Sequence, residues 1–293
     1  MNDATESSFE GAGGLRIFTR AWRPSSTPPR AAIVIVHGFN AHSGRYDWVA
    51  GQFVADGLAV NALDLRGRGK SEGERFYVDR FADYVDDVAR LVTMTKEQLP
   101  GAPLFLLGHS AGGVVSCLYA LDHQAAIAGL ICESFAFEVP APDFALAVLK
   151  GLSHLAPHAH VLKLKNEDFS RDPAVVASMN NDPLIANEVQ PTQTVAEMAR
   201  ADDRLKREFE RISLPLLILH GTHDKATKPS GSQLFFDTAG SEDKTLKLYE
   251  GAFHDPLNDV GREAVMADVL AWIGARLPRA ANFERAGTQE GVA

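Results

Sequence analysis

The sequence predicts an α/β architecture: a mainly parallel central sheet flanked by helices, with an inserted helical cap. Three observations carry this. Short β-branched runs alternate with longer helical patterns along most of the chain, the rhythm of right-handed βαβ crossovers. Runs such as AAIVIV (31–36) and LPLLIL (214–219) read as buried strands of a sheet covered on both faces. Between Glu138 and about Arg211 the rhythm stops, and helical segments with Pro-containing turns replace it.

Taken in order, residues 1–13 read as frayed and LRIFTRAW (15–22) as an early strand, ended by PSSTPPR. A strand at 31–36 runs into HGFNAHSGRY, and a helix is expected over 46–56. The next strand, 58–63, leads into the glycine-rich loop DLRGRGKSEG. Phe81, Tyr84, Val85, Val88, Leu91 and Val92 recur at helical spacing within 81–99. PLFLL (103–107) is a strand, 112–121 a helix and 127–132 a strand. In the interrupting stretch, FALAVLKGLSHL (144–155) and a polar segment near 194–210 read as helices, with no convincing strand. Beyond it come a strand at 214–219, a helix around 233–237, a strand at 245–249 and a final amphipathic helix from about Val260 to Leu277. In the final helix Val265, Val269, Trp272 and Ile273 read as core packing. The tail after Pro278 reads as mobile.

Length and composition set the limits. The chain has 293 residues, 45% hydrophobic and 23% charged, with 24 Gly and 15 Pro, an ordinary globular composition. The strand rhythm makes this one discontinuous α/β domain, 1–137 and 212–293, interrupted by a cap at 138–211 that is not expected to fold alone. Net charge is −9, and no Lys/Arg stripe offers itself to phosphates, so no nucleic-acid partner is expected. MNDATESSFE carries acids, no base and no apolar run, unlike a secretory signal, and no run is long enough to span a bilayer. The expectation is a cytoplasmic protein. Cys117 and Cys132 belong to no metal or redox spacing and read as buried thiols.

The strongest chemical feature is Gly108-His109-Ser110-Ala111-Gly112, lying between a strand and a helix. This is G-x-S-x-G in the strand-turn-helix setting of a nucleophile elbow, where small neighbours let the backbone turn and hold the hydroxyl clear of the sheet. A serine hydroxyl needs a base to take its proton. Asp224 in LPLLILHGTHD and His254 in LKLYEGAFHDPLND follow in chain order, each just past a strand's carboxyl end, where sites in such sheets lie. In this reading His254 is the general base for Ser110 and Asp224 fixes its tautomer. His37-Gly38-Phe39 follows an earlier strand, and the backbone N–H groups of Phe39 and Ala111 would form an oxyanion hole. His37 itself reads as structural.

HGFNAHSGRY, DLRGRGKSEG, GHSAGG, LHGTHD and GAFHDPLND, in that order, resemble the monoglyceride lipase and lysophospholipase branch of the α/β-hydrolases, related to the serine aminopeptidase-like hydrolases. The resemblance spans roughly residues 15–277, and DPLIANEVQPTQTVAEMARA is similar to that branch's cap. It implies Ser110 as nucleophile, Asp224 and His254 as its partners, and Phe39 and Ala111 as oxyanion donors. One departure stands out: many members carry Met after the serine, where this chain has Ala111. Because the donor is a backbone group, that change alters the pocket wall rather than the mechanism.

Other features read as structural. DLRGRGKSEG lacks a phosphate-loop spacing, and Asp64 and Arg66 are expected to brace it. His154, His158 and His160 lack an acid or cysteine to complete a metal set, so neither metal nor cofactor is expected. The expected function is a serine esterase acting on acyl or lipid-like carboxylic esters, as a monoacylglycerol lipase or lysophospholipase does. A short-chain esterase or aliphatic polyester depolymerase is the alternative, and a non-catalytic ligand-binding member of the fold a further one. Phe144, Val148 and Leu152 are expected to touch the substrate. Without basic or tryptophan-rich anchors there, lipid contact is expected to be transient. The spacing is silent on oligomeric state.

Overall fold

The computed structural model describes residues 4–25, 28–139 and 142–278. Its strands are β1 (Thr5–Glu10), β2 (Arg16–Trp22), β3 (Ala32–Val36), β4 (Ala59–Leu63), β5 (Leu104–His109), β6 (Gly129–Glu133), β7 (His160–Leu162), β8 (Gln190–Pro191), β9 (Leu216–Gly221) and β10 (Lys244–Tyr249). Its helices are α1 (Asp47–Ala55), α2 (Phe81–Gln98), α3 (Ala111–His123), α4 (Asp143–Leu152), α5 (Pro173–Asn180), α6 (Thr192–Glu208), α7 (Pro229–Thr238) and α8 (Arg262–Gly274). Eight strands form one sheet in the order β1-β2-β4-β3-β5-β6-β9-β10. β1 pairs antiparallel with β2, and β2 with β4. The remaining pairs are parallel.

The unbroken apolar strands are explained by burial on both sides. In β3, Ile33 and Ile35 enter one core with Phe105 and Leu107 of β5, against Phe53 of α1 and Val269 of α8. Val34 and Val36 point the other way and join Leu106, Val88 of α2 and Val114 of α3 in a second core. Alternate side chains of one strand therefore feed opposite layers. Phe135, Phe137, Phe209 and Phe235 cluster where the inserted stretch leaves and rejoins the sheet, Phe135 stacked on Phe137 and the Phe209 and Phe235 ring centres 4.4 Å apart.

Two expectations are corrected. Thr5–Glu10, read as frayed, is the edge strand β1; only Phe9 of its six side chains is buried, so no apolar pattern announces it. The stretch between β6 and β9, expected to hold no strand, contains the short antiparallel pair β7–β8, along with the unforeseen helix α5. Two or three residues per strand carry too little pattern to be read. The tail expected to be mobile lies outside the described residues. Among the described residues, no helix is long and apolar enough to cross a membrane.

Candidate active site

β5 ends in a turn that places Ser110 at φ 54°, ψ −121°, a conformation that costs a non-glycine residue about 1–3 kcal/mol. The surroundings enforce it. The Ser110 amide donates to the Glu133 carbonyl at 2.9 Å, and the Ser110 carbonyl accepts from the amides of Gly113 and Ala136. Gly112 is required by close approach: a Cβ there would lie 2.2 Å from the Val36 carbonyl oxygen. Gly38 meets the same constraint against the Ser110 Cβ, at 2.7 Å. The elbow and the loop after β3 are thus in contact because both carry glycine at the crossing.

The structure brings Ser110, His254 and Asp224 together. The Ser110 hydroxyl lies 2.9 Å from His254 Nε2, and His254 Nδ1 lies 2.7 Å from Asp224 Oδ2. Both the imidazole and the carboxylate are fully buried. Asp224 Oδ1 accepts from the amides of Ala226 and Thr227, and Oδ2 also accepts from the Thr227 hydroxyl at 2.8 Å. Burial pulls the Asp224 pKa upward, but His254 and His220 outweigh it and hold the carboxyl far below its ordinary range. It is a fixed anion.

Several supports were not read from the sequence. His220 Nε2 lies 3.0 Å from Asp224 Oδ2, and its Nδ1 meets the Ser232 hydroxyl at 2.7 Å. Its position four residues before Asp224, within LHGTHD, was the available signal. His109 Nε2 lies 3.1 Å from the His254 carbonyl, and Phe169 meets the His254 ring edge-on at 4.9 Å. Their placement depends on tertiary contacts, which no local spacing encodes.

Phe39 and Ala111 lie beside Ser110 as expected, and neither N–H is used in a hydrogen bond among the described residues. Ala111 opens α3, where amides have no partner within the helix. The Phe39 loop is pinned from several directions. His37 takes the Leu65 amide on Nε2 at 2.9 Å, and its Nδ1 lies 2.7 Å from the Gly38 carbonyl. Glu188 Oε1 accepts the Asn40 amide at 3.0 Å and the buried Arg68 guanidinium, which lies 4.2 Å over the Phe39 ring. Asp64 accepts the amides of Ser43 and Lys70, both at 2.7 Å, and Arg66 is paired with Asp87, so the glycine-rich loop is braced as expected.

Burial pulls His37 down to about 4. Its folded pKa therefore lies below the ordinary value of about 6.5. That contribution to stability is complete above about pH 6.5 and is lost as pH falls toward 4, because the unfolded chain binds the proton first. Urea midpoints measured across this window are expected to fall by the equivalent of about 3 kcal/mol, and His37→Gln is expected to flatten the slope.

Ser110 opens into a cavity of about 350 Å³ whose walls include Leu146, Leu149, Val161, Val195 and Met198. The structure does not bring Phe144, Val148 and Leu152 into it. They are 72%, 64% and 37% exposed, on the outer side of α4, while Leu146 and Leu149 on the other side line the cavity. In the stretch 144–155 apolar residues occur on both sides of the helix, with Lys150, Ser153 and His154 among them, and the more apolar side is not the one that faces the cavity.

His109, Glu133 and Asp255 are buried with potential ligand atoms within 4.8 Å of one another. Burial and then Asp255 push the Glu133 pKa well up, and Glu133 Oε1 accepts the Leu257 amide at 2.8 Å. The cap histidines are dispersed: His158 stacks on Tyr77 at 4.6 Å and lies 2.8 Å from Glu74, while His154 lies near Arg200. Cys117 and Cys132 are buried free thiols with sulfurs 3.5 Å apart.

A family model described as serine aminopeptidase, S33 matches residues 27–261. The chain belongs to this α/β-hydrolase family. Among its S33-family relatives, the monoacylglycerol lipase of Mycolicibacterium smegmatis is 35% identical over 93% of this chain and 98% of that protein. Human monoglyceride lipase is 33% identical over 90% of this chain and 89% of its own length. The crystal structure of the Paleococcus ferrophilus monoacylglycerol lipase superposes with a TM-score of 0.78 at 27% identity, covering 94% of this chain and 99% of that one. By this family and these relatives the S33-family chain is a serine ester hydrolase.

Proposed function

We propose that the protein hydrolyses monoacylglycerol-type carboxylic esters through an acyl-enzyme, with Ser110 as nucleophile, His254 as general base and Asp224 as the anion that orients it. The observation that carries this is the continuous Ser110–His254–Asp224 contact chain, with Ser110 in the wall of a largely apolar cavity. His254 Nε2 takes the Ser110 proton as Oγ attacks the ester carbonyl, and the Phe39 and Ala111 amides receive the oxyanion. The imidazolium then returns the proton to the departing alcohol. Water enters under the same base and releases the acid.

In this reading residues 138–211 act as a cap over one catalytic domain formed by 1–137 and 212–293, and Leu146, Leu149 and Met198 supply walls for an acyl chain. The relatives named as monoacylglycerol lipases support glycerol esters as the substrate class. Phe144, Val148, Leu152 and Leu155 fall at intervals of three or four on α4 and just beyond it, and Leu155 is 86% exposed. Such a stripe suits transient contact with a lipid surface. The reading includes a cytoplasmic location, in keeping with the adjacent thiols Cys117 and Cys132.

The test is kcat/KM across monoacylglycerols, lysophospholipids and polyester oligomers of graded acyl length, offered dispersed and in vesicles. Long-chain monoacylglycerols are expected to lead, and Phe144→Glu with Leu155→Glu is expected to slow only the vesicle-borne substrates. A preference for short, water-soluble acyl groups would overturn the monoacylglycerol reading.

A further inference from the structure

Helix α6 presents Val195, Met198, Ala199 and Asp202 to the cavity that opens on Ser110. Their spacing of i, i+3, i+4 and i+7 is one face of a helix. The first three suit a hydrocarbon chain. Asp202 does not: it is 8% exposed, and its Oδ1 is buried with no hydrogen-bond partner. It also borders a second cavity, with Lys150, Lys206 and Lys228 in the walls. Those cations are not its partners. Lys150 is paired with Asp203, Lys206 lies over the Phe137 ring, and no ion pair among the described residues includes Asp202.

Burial drives the Asp202 carboxyl well above its ordinary pKa, and the attraction of Lys206 and Lys150 does not cancel this. The shift favours the protonated form, which has one O–H to donate as well as oxygens to accept. A buried polar group without a partner costs stability, and an apolar side chain of similar size would fill the wall better. Asp202 stands about 10 Å further along α6 than Val195, in a pocket whose walls are largely apolar but also include Lys163, Lys165, Asp168 and Lys225.

We propose that Asp202 is a polar subsite within the acyl cavity that recognises a hydroxyl group carried on the acyl chain. Hydroxyacyl esters with the hydroxyl at the matching depth are then better substrates than plain chains of equal length. The inference rests on the reading of Ser110 as nucleophile and of this cavity as the acyl site.

The experiment measures kcat/KM for monoacylglycerols of one chain length, plain or with a single hydroxyl moved carbon by carbon along the chain. Wild-type protein is expected to favour one or two neighbouring positions over the plain chain by roughly three- to tenfold. Asp202→Leu and the smaller Asp202→Ala are expected to abolish that ratio, whereas Asp202→Asn, which still donates and accepts, retains part of it. Asp202→Leu is also expected to raise Tm, since it removes an unpartnered buried acid. If the wild type cleaves the plain ester but favours no hydroxylated position, the subsite is overturned while the ester hydrolase reading stands. A preference that survives in Asp202→Leu and Asp202→Ala overturns it equally. If the wild type cleaves none of the esters, the monoacylglycerol reading fails, and the subsite with it.

Discussion

Asp224→Asn is expected to lower kcat by about 10⁴ while leaving the fold intact. The reason lies in how Asp224 is held. Its Oδ1 accepts two backbone amides, from Ala226 and Thr227, and an Asn side chain can satisfy those only with its carbonyl oxygen. The NH₂ group is then forced into the position of Oδ2, 2.7 Å from His254 Nδ1. Two donors cannot face each other, so the imidazole must carry its proton on Nε2. That tautomer cannot take the proton of Ser110. His220, which contacts the same oxygen, would also meet a donor, reinforcing the penalty.

Ser110→Ala is expected to abolish labelling by a fluorophosphonate probe, and the double variant Ser110→Ala/Asp224→Asn is expected to be no slower than Ser110→Ala alone, because the three groups act as a unit. Single-turnover and steady-state rates check this. If Asp224→Asn stayed within tenfold of wild type, Asp224 would not be the group that orients the base. If wild-type protein resisted the probe, the acyl-enzyme itself would be in doubt and a ligand-binding role would gain ground.

The features legible in the sequence were those whose cause is local. Ser110 announces itself because the elbow needs small residues at fixed offsets, and Gly112 has no room for a side chain beside the Val36 carbonyl. The parallel strands were legible because burial on two faces leaves apolar runs such as Ile33 to Val36 without polar interruption. β1 was not, since an edge strand with one buried side chain has no pattern to show. The cavity-facing side of α4 was hidden for the opposite reason: apolar residues occur on both faces, and only packing against α6 decides that Leu146 and Leu149 turn inward. Asp202 was invisible because a polar segment near 194–210 reads as a solvated helix. The functional meaning of one acid in it appears only when its neighbours at helical spacing are seen to line a cavity.

The same limit hid Glu188, on which the second large effect depends. Glu188→Ala is expected to cost about 3–5 kcal/mol of stability, because it leaves the buried Arg68 guanidinium without its counter-charge. On a typical total of about 5–15 kcal/mol that is a large share, read as a fall in the urea midpoint. Activity is expected to fall as well, for a separate reason. Glu188 Oε1 accepts the Asn40 amide, and Asn40 sits at φ 51° directly after Phe39. Releasing that strained residue lets the Phe39 N–H leave the oxyanion position, and one lost donor costs about 10²–10³ in kcat.

Two further variants separate the effects. Glu188→Gln keeps an oxygen for the Asn40 amide but removes the charge, so it is expected to lose stability while retaining most of kcat. Pairing Glu188→Leu with Arg68→Met removes both charges, and is expected to recover much of the stability without restoring kcat, because the Asn40 amide still lacks its acceptor. Equal kcat losses in Glu188→Gln and Glu188→Ala would show that charge, rather than the hydrogen bond to Asn40, holds the loop. In the proposed reading, the reach of Glu188 from the inserted stretch to the loop that carries Phe39 would make residues 138–211 part of the catalytic framework as well as a cover for the acyl chain.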